Sequence, residues 1–344
     1  MKKTILSLSL LALMAVFGSC STKVELYADY KDVPVIYGLI DVSQDTNYIK
    51  IVRAFSGSND NPIDATEVAL IADSCNYPGK LDARIVEYRS GFGNTYVATG
   101  KEFVLDTMTI HNKEEGTFYY PNQKVYYTTE SFNTNTQSTK YKYKLLVYKD
   151  NDTISSETGL VGGDEFKIIT QRVTFRADAG TKEDKIRFAA ADNAAIYEVK
   201  MTFNYLEKRP GQDTVYKQLN WSLGTHGISE MEMENNIFSV NYSQGLLFNS
   251  LAEAIGNDTH QVERFIGNFE IHVAAGGNEL YNYIQINSPS EGFSQNIPDY
   301  TNINGGFGVF SSRINLTSIL DKRLGIAPIT KTELYAMDWG FRER

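Results

Sequence analysis

The sequence predicts a mainly β protein, in which a signal peptide is followed by two β-sandwich-like domains with a few short helices. Apolar and polar residues alternate with a period of two over many short segments, as strands with one buried face do. Glycine, proline, asparagine and aspartate cluster between these segments, where tight turns require them. The chain has 344 residues, which is more than one hydrophobic core usually serves.

The first 19 residues have the pattern of a signal peptide. Two lysines precede an apolar run over residues 4–17, which is too short to cross a bilayer as a helix. Gly18, Ser19 and Cys20 then form the small-small-cysteine ending of a bacterial lipoprotein cleavage site. We therefore expect Cys20 to carry acyl chains that anchor the protein to a membrane. The alternative is an ordinary secretory signal in which this cysteine stands by chance.

Composition limits the chemistry of the mature chain. Once Cys20 is acylated, Cys75 is the one cysteine left, so neither an intramolecular disulfide nor a cysteine zinc site is expected. Cleavage also removes two lysines and takes the formal net charge from −9 to −11. An acidic exported protein is a poor partner for nucleic acid and for anionic lipid surfaces.

Two hairpins are the clearest elements. Residues 141–148 alternate, and a turn rich in Asp and Asn at 149–152 leads into a second strand. Residues 197–205 alternate just as regularly and turn through a Pro-Gly pair into a partner strand. Further strands are predicted over 34–39, 48–55, 83–88, 185–190, 265–275, 281–287 and 306–312. Helices are predicted over 64–73, 248–255 and 318–324.

Glycines over residues 159–163 predict a domain boundary, because a fresh strand pattern begins at Phe166. The apolar C-terminal segment from Leu334 to Phe341 is expected to dock on the second domain. The predicted parts are a lipoprotein signal peptide (1–19), a lipidated N-terminal linker (20–33), an immunoglobulin-like or related β domain (34–163) and a second β-rich domain with short helices (164–344).

No residue pattern indicates catalysis. The histidines stand at no metal-ligand spacing, and neither a nucleophile elbow nor a phosphate-binding or dinucleotide-binding glycine motif is present. Asp150-Asn151-Asp152 is interpreted as a turn and not as a calcium loop, since no acidic residue closes such a loop. His272 is predicted to lie on the surface of a sheet. The sequence therefore predicts no catalytic residue, no metal site and no cofactor.

Aromatic residues supply the candidate binding surface. The chain has 22 tyrosines and 18 phenylalanines, most of which alternate with polar residues and are expected in cores or cross-strand pairs. Five of them break the alternation, so that aromatic side chains fall on both faces of a strand. These five are the predicted contact surface for a glycan, a peptide or a partner protein. They are Phe118, Tyr119, Tyr120, Tyr126 and Tyr127.

A short pattern, Asp-Thr-apolar, occurs three times. It contains Thr107, Thr153 and Thr214 and resembles the acceptor sequence for O-glycosylation of exported proteins in Bacteroidota. The alternative is ordinary hairpin chemistry, in which aspartate ends a turn and a β-branched threonine opens a strand. The sequence leaves both interpretations open.

A resemblance to a known group is carried by Cys20 and by the stretches 34–41, 48–55, 116–123 and 300–310. Together they resemble the uncharacterised outer-membrane or surface lipoproteins of Bacteroidota, some of which are classed under a domain of unknown function. The resemblance implies a β-sandwich body on the outer membrane, encoded near TonB-dependent transporters, which helps to capture a nutrient or to organise the surface. It brings no catalytic residues.

These observations lead us to expect a non-catalytic, lipid-anchored envelope protein that binds a ligand or partner protein, as an accessory to a TonB-dependent nutrient transporter. We expect it on the outer membrane, at the cell surface in preference to the periplasmic face. The alternative is a structural or adhesive cell-surface component, and an envelope hydrolase is a third. A binder should have a concave aromatic pocket, a structural component a flat uncharged edge strand, and a hydrolase a histidine beside a serine or paired carboxylates.

Overall fold

The computed structural model describes residues 32–54, 70–111, 114–116, 119–120, 122–132, 140–256, 262–287 and 300–343. The mainly β prediction is confirmed, since 54% of the structure is strand and 14% is helix. The strands are β1 Pro34–Asp41, β2 Asn47–Arg53, β3 Asp82–Ser90, β4 Tyr96–Val104, β5 Asp106–Ile110, β6 Gln123–Thr128, β7 Tyr141–Lys149, β8 Asp152–Gly159, β9 Glu183–Ala189, β10 Ala194–Lys208, β11 Val215–Gly227, β12 Glu232–Glu234, β13 Ile237–Ser243, β14 Glu263–Gly277, β15 Phe307–Leu320 and β16 Phe341–Arg342. The helices are α1 Ala72–Cys75, α2 Leu246–Ile255, α3 Asn278–Asn287 and α4 Pro328–Ala336.

In the described part of the chain, strands from both halves form one large sheet of nine strands. Its order is β11-β10-β14-β15-β1-β2-β6-β5, and β16 also pairs with β14. The two halves meet where β1 pairs in parallel with β15, with Val35 opposite Phe307 and Asp41 opposite Arg313. The division into domains at residue 163 stays a prediction, and the large sheet crosses it.

The first half of the chain folds as a β-sandwich. The chain passes back and forth between the large sheet, which holds β1, β2, β5 and β6, and a four-stranded sheet of order β4-β3-β7-β8. Side chains from both sheets fill the first core, and Ile303 and Phe310 from the second half join them. Other buried residues of this core are Ile36, Ile49, Ile51, Phe103, Tyr126, Tyr143, Leu145 and Val147.

Strand β10 lies at the centre of the second core. A three-stranded sheet of order β12-β13-β9 and helix α2 contribute side chains to the same core, so one face of the large sheet is buried here as well. The alternation predicted over 197–205 is therefore confirmed in the burial of one face of β10. The buried residues on that face are Tyr197, Val199, Met201, Phe203 and Tyr205.

The helix predictions have mixed outcomes. Helix α2 confirms the helix predicted over 248–255. The helix predicted over 318–324 is wrong, because β15 continues to Leu320 and pairs there with β14. Helix α4 follows instead, and Pro328 in its first turn is the start signal that would have indicated it. The helix predicted over 64–73 lies largely outside the described residues.

The strand predicted over 281–287 is also wrong, since this segment belongs to α3. Leu280, Tyr283 and Ile284 stand at positions i, i+3 and i+4, a spacing that fits one face of a helix. Apolar and polar residues also alternate through the same segment, so it fits both periods. Contact with the large sheet, described below, is what favours the helix.

The apolar C-terminal segment docks on the second core, as expected. Leu334 and Phe341 are buried, and Met337 and Trp339 pack against the same core. Tyr335 stays at the surface, with 37% of its side chain exposed. The segment is therefore a part of the folded body and not a frayed end.

A buried arginine holds this segment in place. Arg264 is 1% exposed, and its Nη2 and Nε atoms lie 3.0 and 3.1 Å from Glu207 Oε2. Its Nη1 donates a hydrogen bond to the Trp339 carbonyl oxygen at 2.7 Å. A buried guanidinium is costly unless its donors are paired, so the ion pair and the C-terminal segment stabilise each other.

Because Tyr197 is buried, the free energy of unfolding depends on pH in the alkaline range. Its side chain is 1% exposed, and its hydroxyl oxygen accepts a hydrogen bond from the Ala191 N–H at 2.9 Å. Burial raises its pKa to about 12, whereas a tyrosine in an unfolded chain has a pKa of about 10. Between these values the unfolded state loses a proton that the folded state keeps, so the free energy of unfolding falls as pH rises.

We predict that Tyr197→Phe makes this alkaline loss of stability shallower. Between the two pKa values, the free energy of unfolding of the wild type should fall by up to about 1.4 kcal/mol per pH unit more than that of the variant. Urea unfolding at several pH values measures the difference. Tyr216→Phe is the control, because Tyr216 is 56% exposed. Equal slopes for the wild type and Tyr197→Phe would contradict the prediction.

Candidate ligand-binding site

Both cores lie against the same face of the large sheet, which leaves the opposite face outside them. On β15, Phe310 belongs to the first core and Leu316 packs against the second, and their even spacing places both on one face. On β1, Ile36 points into the first core. Because side chains alternate along a strand, Val35 and Tyr37 point the other way. We call the face with Val35 and Tyr37 the outer face.

Helix α3 lies on the outer face. Leu280 packs over Gly276, where a Cβ atom would stand 2.8 Å from Leu280 Cδ2, so the missing side chain allows the helix to approach the sheet. Tyr283 meets Tyr37 edge-on, with ring centroids 6.2 Å apart. Two hollows lie on the outer face of the described structure, one over β1 and β2 and one over β10, β14 and β15.

The hollow over β1 and β2 has a volume of about 340 Å³. Its floor is made of two cross-strand pairs, Val35 with Val52 and Tyr37 with Lys50. The end of β2, the end of α1 and the residues that precede β6 supply its walls. We call this hollow the Tyr37 cavity. The other lining residues are Arg53, Ala54, Cys75, Asn76, Tyr119, Asn122 and Gln123.

Polar groups in the Tyr37 cavity are positioned by neighbours. Lys50 Nζ donates a hydrogen bond to Gln123 Oε1 at 3.3 Å. Asn122 Oδ1 lies 2.6 Å from Nδ1 of His111, outside the cavity. Among the described lining residues, Lys50 and Arg53 carry positive charge, and none is aspartate or glutamate. The cavity thus combines apolar and aromatic surface with a few polar groups, as small-molecule sites do.

The described residues of the predicted aromatic contact surface have different surroundings. Tyr119 lines the Tyr37 cavity. Tyr120 is half-buried, and its hydrogen bond to Glu115 raises the pKa of its phenol. Tyr127 is half-buried and pairs with Tyr48 on the neighbouring strand β2. One of these three residues therefore contributes to the cavity.

The assignment of Tyr126 to a surface needs a correction, because its side chain is 0% exposed in the first core. Its hydroxyl oxygen accepts a hydrogen bond from the Leu81 N–H at 2.9 Å. The reason is ordinary alternation along β6, which turns Tyr126 inward and Tyr127 outward. Phe118, the fifth residue of the set, lies outside the described residues.

The three Asp-Thr-apolar motifs all stand at the start of an edge strand. Thr107 is in β5 and Thr214 precedes β11, which are the two end strands of the large sheet, and Thr153 is in β8, an end strand of the four-stranded sheet. Thr153 and Thr214 are exposed, and Thr107 is half-buried. The Thr107 N–H donates to Asp106 Oδ1 at 2.8 Å, which fits the turn interpretation. Glycosylation stays a prediction, and Cys20 lies outside the described residues.

The second hollow, of about 580 Å³, contains a polar network. Nδ1 of His272 lies 2.9 Å from Thr317 Oγ1, and its Nε2 lies 3.4 Å from Glu270 Oε2. A histidine beside a hydroxyl is one requirement of a hydrolase, and donors for an oxyanion are another. His272 and Thr317 are paired in the β14–β15 ladder, so their backbone N–H groups lie in the plane of the sheet and do not point into the hollow. These two N–H groups therefore do not supply the oxyanion donors that a hydrolase requires.

Asp150-Asn151-Asp152 forms the tight turn between β7 and β8, with Asp150 at a φ of 52°, as the turn interpretation predicts. Within the described ranges, no group of three His, Cys, Asp or Glu side chains is arranged to hold a metal ion. In the same part of the chain, no helix has the length and apolar character needed to cross a membrane.

Comparisons with known proteins add no assignment. No family model matches the chain, and no curated protein sequence matches it. The resemblance to Bacteroidota lipoproteins therefore stays an expectation from the residues that carry it.

Sequence reasoning missed the residues on the floor of the Tyr37 cavity. A signal was present, because β1 carries apolar residues on both faces where a half-buried strand would alternate. Ile36 and Ile40 serve the core, so Val35 and Tyr37 were available for a second contact. The position of Lys50 opposite Tyr37 depends on the pairing register of β1 with β2, which a local pattern does not specify.

Proposed function

We propose that this protein is a lipid-anchored, non-catalytic envelope protein that binds a small ligand in the Tyr37 cavity. The observation that supports this most directly is a cavity of about 340 Å³, with two tyrosine rings in its lining, on the face of the large sheet outside both cores. Pockets of this size and mixed character are typical of small-molecule sites. Core packing does not need such a cavity, because protein interiors are densely packed.

The position of the cavity on paired strands also supports a binding role. Its floor pairs belong to a continuous ladder in which β1 lies between β2 and β15. Sites on strands hold their geometry better than sites on loops. The order β5-β6-β2-β1 against β4-β3-β7-β8 supports the immunoglobulin-like type that we propose for the first sandwich.

The proposal includes a location. We place the protein on the outer membrane through acylated Cys20, with the body at the cell surface, as an accessory to a TonB-dependent nutrient transporter. The cleavage-site pattern that ends at Cys20 and the resemblance to Bacteroidota lipoproteins support this part. A ligand-binding body tethered by a lipid would raise the local concentration of its ligand near such a transporter.

A structural or adhesive role is the second candidate function, and β11 favours it. This strand is 13 residues long, ends the large sheet and carries one formal charge, that of Lys217. Val215 and Tyr216 are 48% and 56% exposed. Among the described strands, β11 pairs with β10 alone. Long edge strands with few charges pair readily with strands of other chains.

We predict that Cys20→Ala releases the protein from the membrane. The wild type should sediment with the membranes of its own cells, whereas the variant should remain soluble, because the lipid is the anchor. Ultracentrifugation followed by immunoblotting measures the distribution. Cys75→Ala is the matched control, since it removes the other cysteine and should leave the anchor intact. Sedimentation with the membranes of a Cys20→Ala chain that has lost residues 1–19 would contradict the proposal.

We predict that the neutral fluorescent probe N-phenyl-1-naphthylamine binds in the Tyr37 cavity. Its fluorescence should rise on binding, and it should slow the reaction of the Cys75 thiol, which lines the cavity, with a maleimide. Tyr119→Ala should raise the Kd about fivefold, as expected for the loss of about 1 kcal/mol of aromatic contact.

Tyr216→Ala is the control for this experiment, because Tyr216 is an exposed tyrosine of β11. Circular dichroism shows whether both variants are folded. If the wild type and Tyr119→Ala bind the probe equally and Cys75 reacts at the same rate with and without it, the cavity is not the binding site.

A further inference from the structure

We infer that the ligand of the Tyr37 cavity is an amphiphilic acid, that is, a molecule with an apolar or aromatic body and an anionic group such as a carboxylate. This inference rests on the proposed function, because it names the ligand class of the same site. It is carried by the charge of the lining and by the order of side chains along the cavity floor.

The formal charges of the described cavity lining are positive in a chain that is negative overall. The formal net charge of the chain is −9, yet both formal charges in the described lining, on Lys50 and Arg53, are positive. A concave site lined by charge of one sign concentrates ligands of the opposite sign. The local charge therefore favours an anionic ligand, although the net charge of the protein would repel one.

Apolar and cationic side chains follow one another along the floor. The Val35–Val52 pair and the Tyr37–Lys50 pair are successive pairs on the outer face, so they stand about 7 Å apart along the strands. Arg53 directly follows Val52 in the chain. The valine pair is therefore an apolar surface with Lys50 at one end, and Arg53 lies elsewhere in the same lining, which suits a ligand with an apolar body and a charged group.

The hydrogen-bonding capacity of the two cations points to the same class. Lysine and arginine side chains donate hydrogen bonds and accept none, so the ligand group that meets them must be an acceptor. Hydrogen bonds between charged partners are about twice as strong as those between neutral partners. An uncharged glycan or peptide would gain less from Lys50 and Arg53 than a carboxylate does.

A pair of matched probes tests the class of the ligand separately from the existence of the binding site. 8-Anilinonaphthalene-1-sulfonate carries a sulfonate on a phenylnaphthylamine body, and N-phenyl-1-naphthylamine has the same body without the charge. Both report binding by fluorescence. Protection of Cys75 from maleimide places each probe in the Tyr37 cavity, because Cys75 is a lining residue.

Lys50→Met and Arg53→Met remove one charge each and keep a long apolar side chain. We expect at least one of them to raise the Kd of the anionic probe about tenfold, as the loss of a charge-assisted hydrogen bond does. The Kd of the neutral probe should change less than about twofold, since its apolar contacts remain. Lys217→Met, at an exposed position of β11, is the control and should change neither.

Two results would overturn the inference in distinguishable ways. Unchanged affinity for the anionic probe in both variants, with both probes still protecting Cys75, would contradict the acid class and leave the proposed function standing. Failure of both probes to bind the wild type or to protect Cys75 would overturn the proposed function and the inference together.

Competing acids then identify the body of the ligand. Displacement of the anionic probe by laurate indicates an aliphatic acid, and displacement by 1-naphthoate indicates an aromatic acid. Either result supports the inference, and the aromatic one agrees with the two tyrosine rings of the lining. Displacement by neither acid at saturating concentration would contradict it.

Discussion

The parallel pairing of β1 with β15 sets the position of nearly every other feature. Asp41 fixes it, because this carboxylate is 3% exposed and accepts hydrogen bonds from Arg313 Nε at 2.8 Å and Asn315 Nδ2 at 2.6 Å. The same register turns Ile36 into the first core and Tyr37 to the outer face. A slip of one residue would exchange the two faces of β1 and remove both the core contact and the cavity floor.

Local sequence patterns predicted most strands but did not predict which strands pair with one another. The alternation over 197–205 predicts a strand with one buried face, because every second residue is apolar, and β10 has that face. Residues 278–287 fit a helix and a strand equally, and close packing on Gly276 decides between them. The partner of β1 is set by contacts between segments far apart in the chain. The hydrophobic period of a single segment therefore does not indicate it.

The sequence indicated one residue in the wall of the Tyr37 cavity, but it did not indicate the residues of the cavity floor. Tyr119 stood out because it breaks the alternation, and it lines the cavity. Tyr126 broke the alternation in the same way and is buried, since the pattern alone does not tell which tyrosine of a pair faces inward. Lys50 had the pattern of a solvent-facing residue, and only pairing with β1 brings it opposite Tyr37. The chemistry of the site therefore comes from strand register more than from any motif.

Gly308 allows the most direct test of the claim that this pairing holds the structure together. Its φ is +106°, and a Cβ atom there would collide with the Ile36 carbonyl oxygen, so Gly308→Ala should break the β1–β15 pairing. Gly211→Ala is the matched control, because Gly211 has a φ of +74° and no atom within 4 Å of such a Cβ. Hydrogen–deuterium exchange should show that β1 and β15 lose protection in Gly308→Ala alone. Full protection of β1 in that variant would contradict the claim.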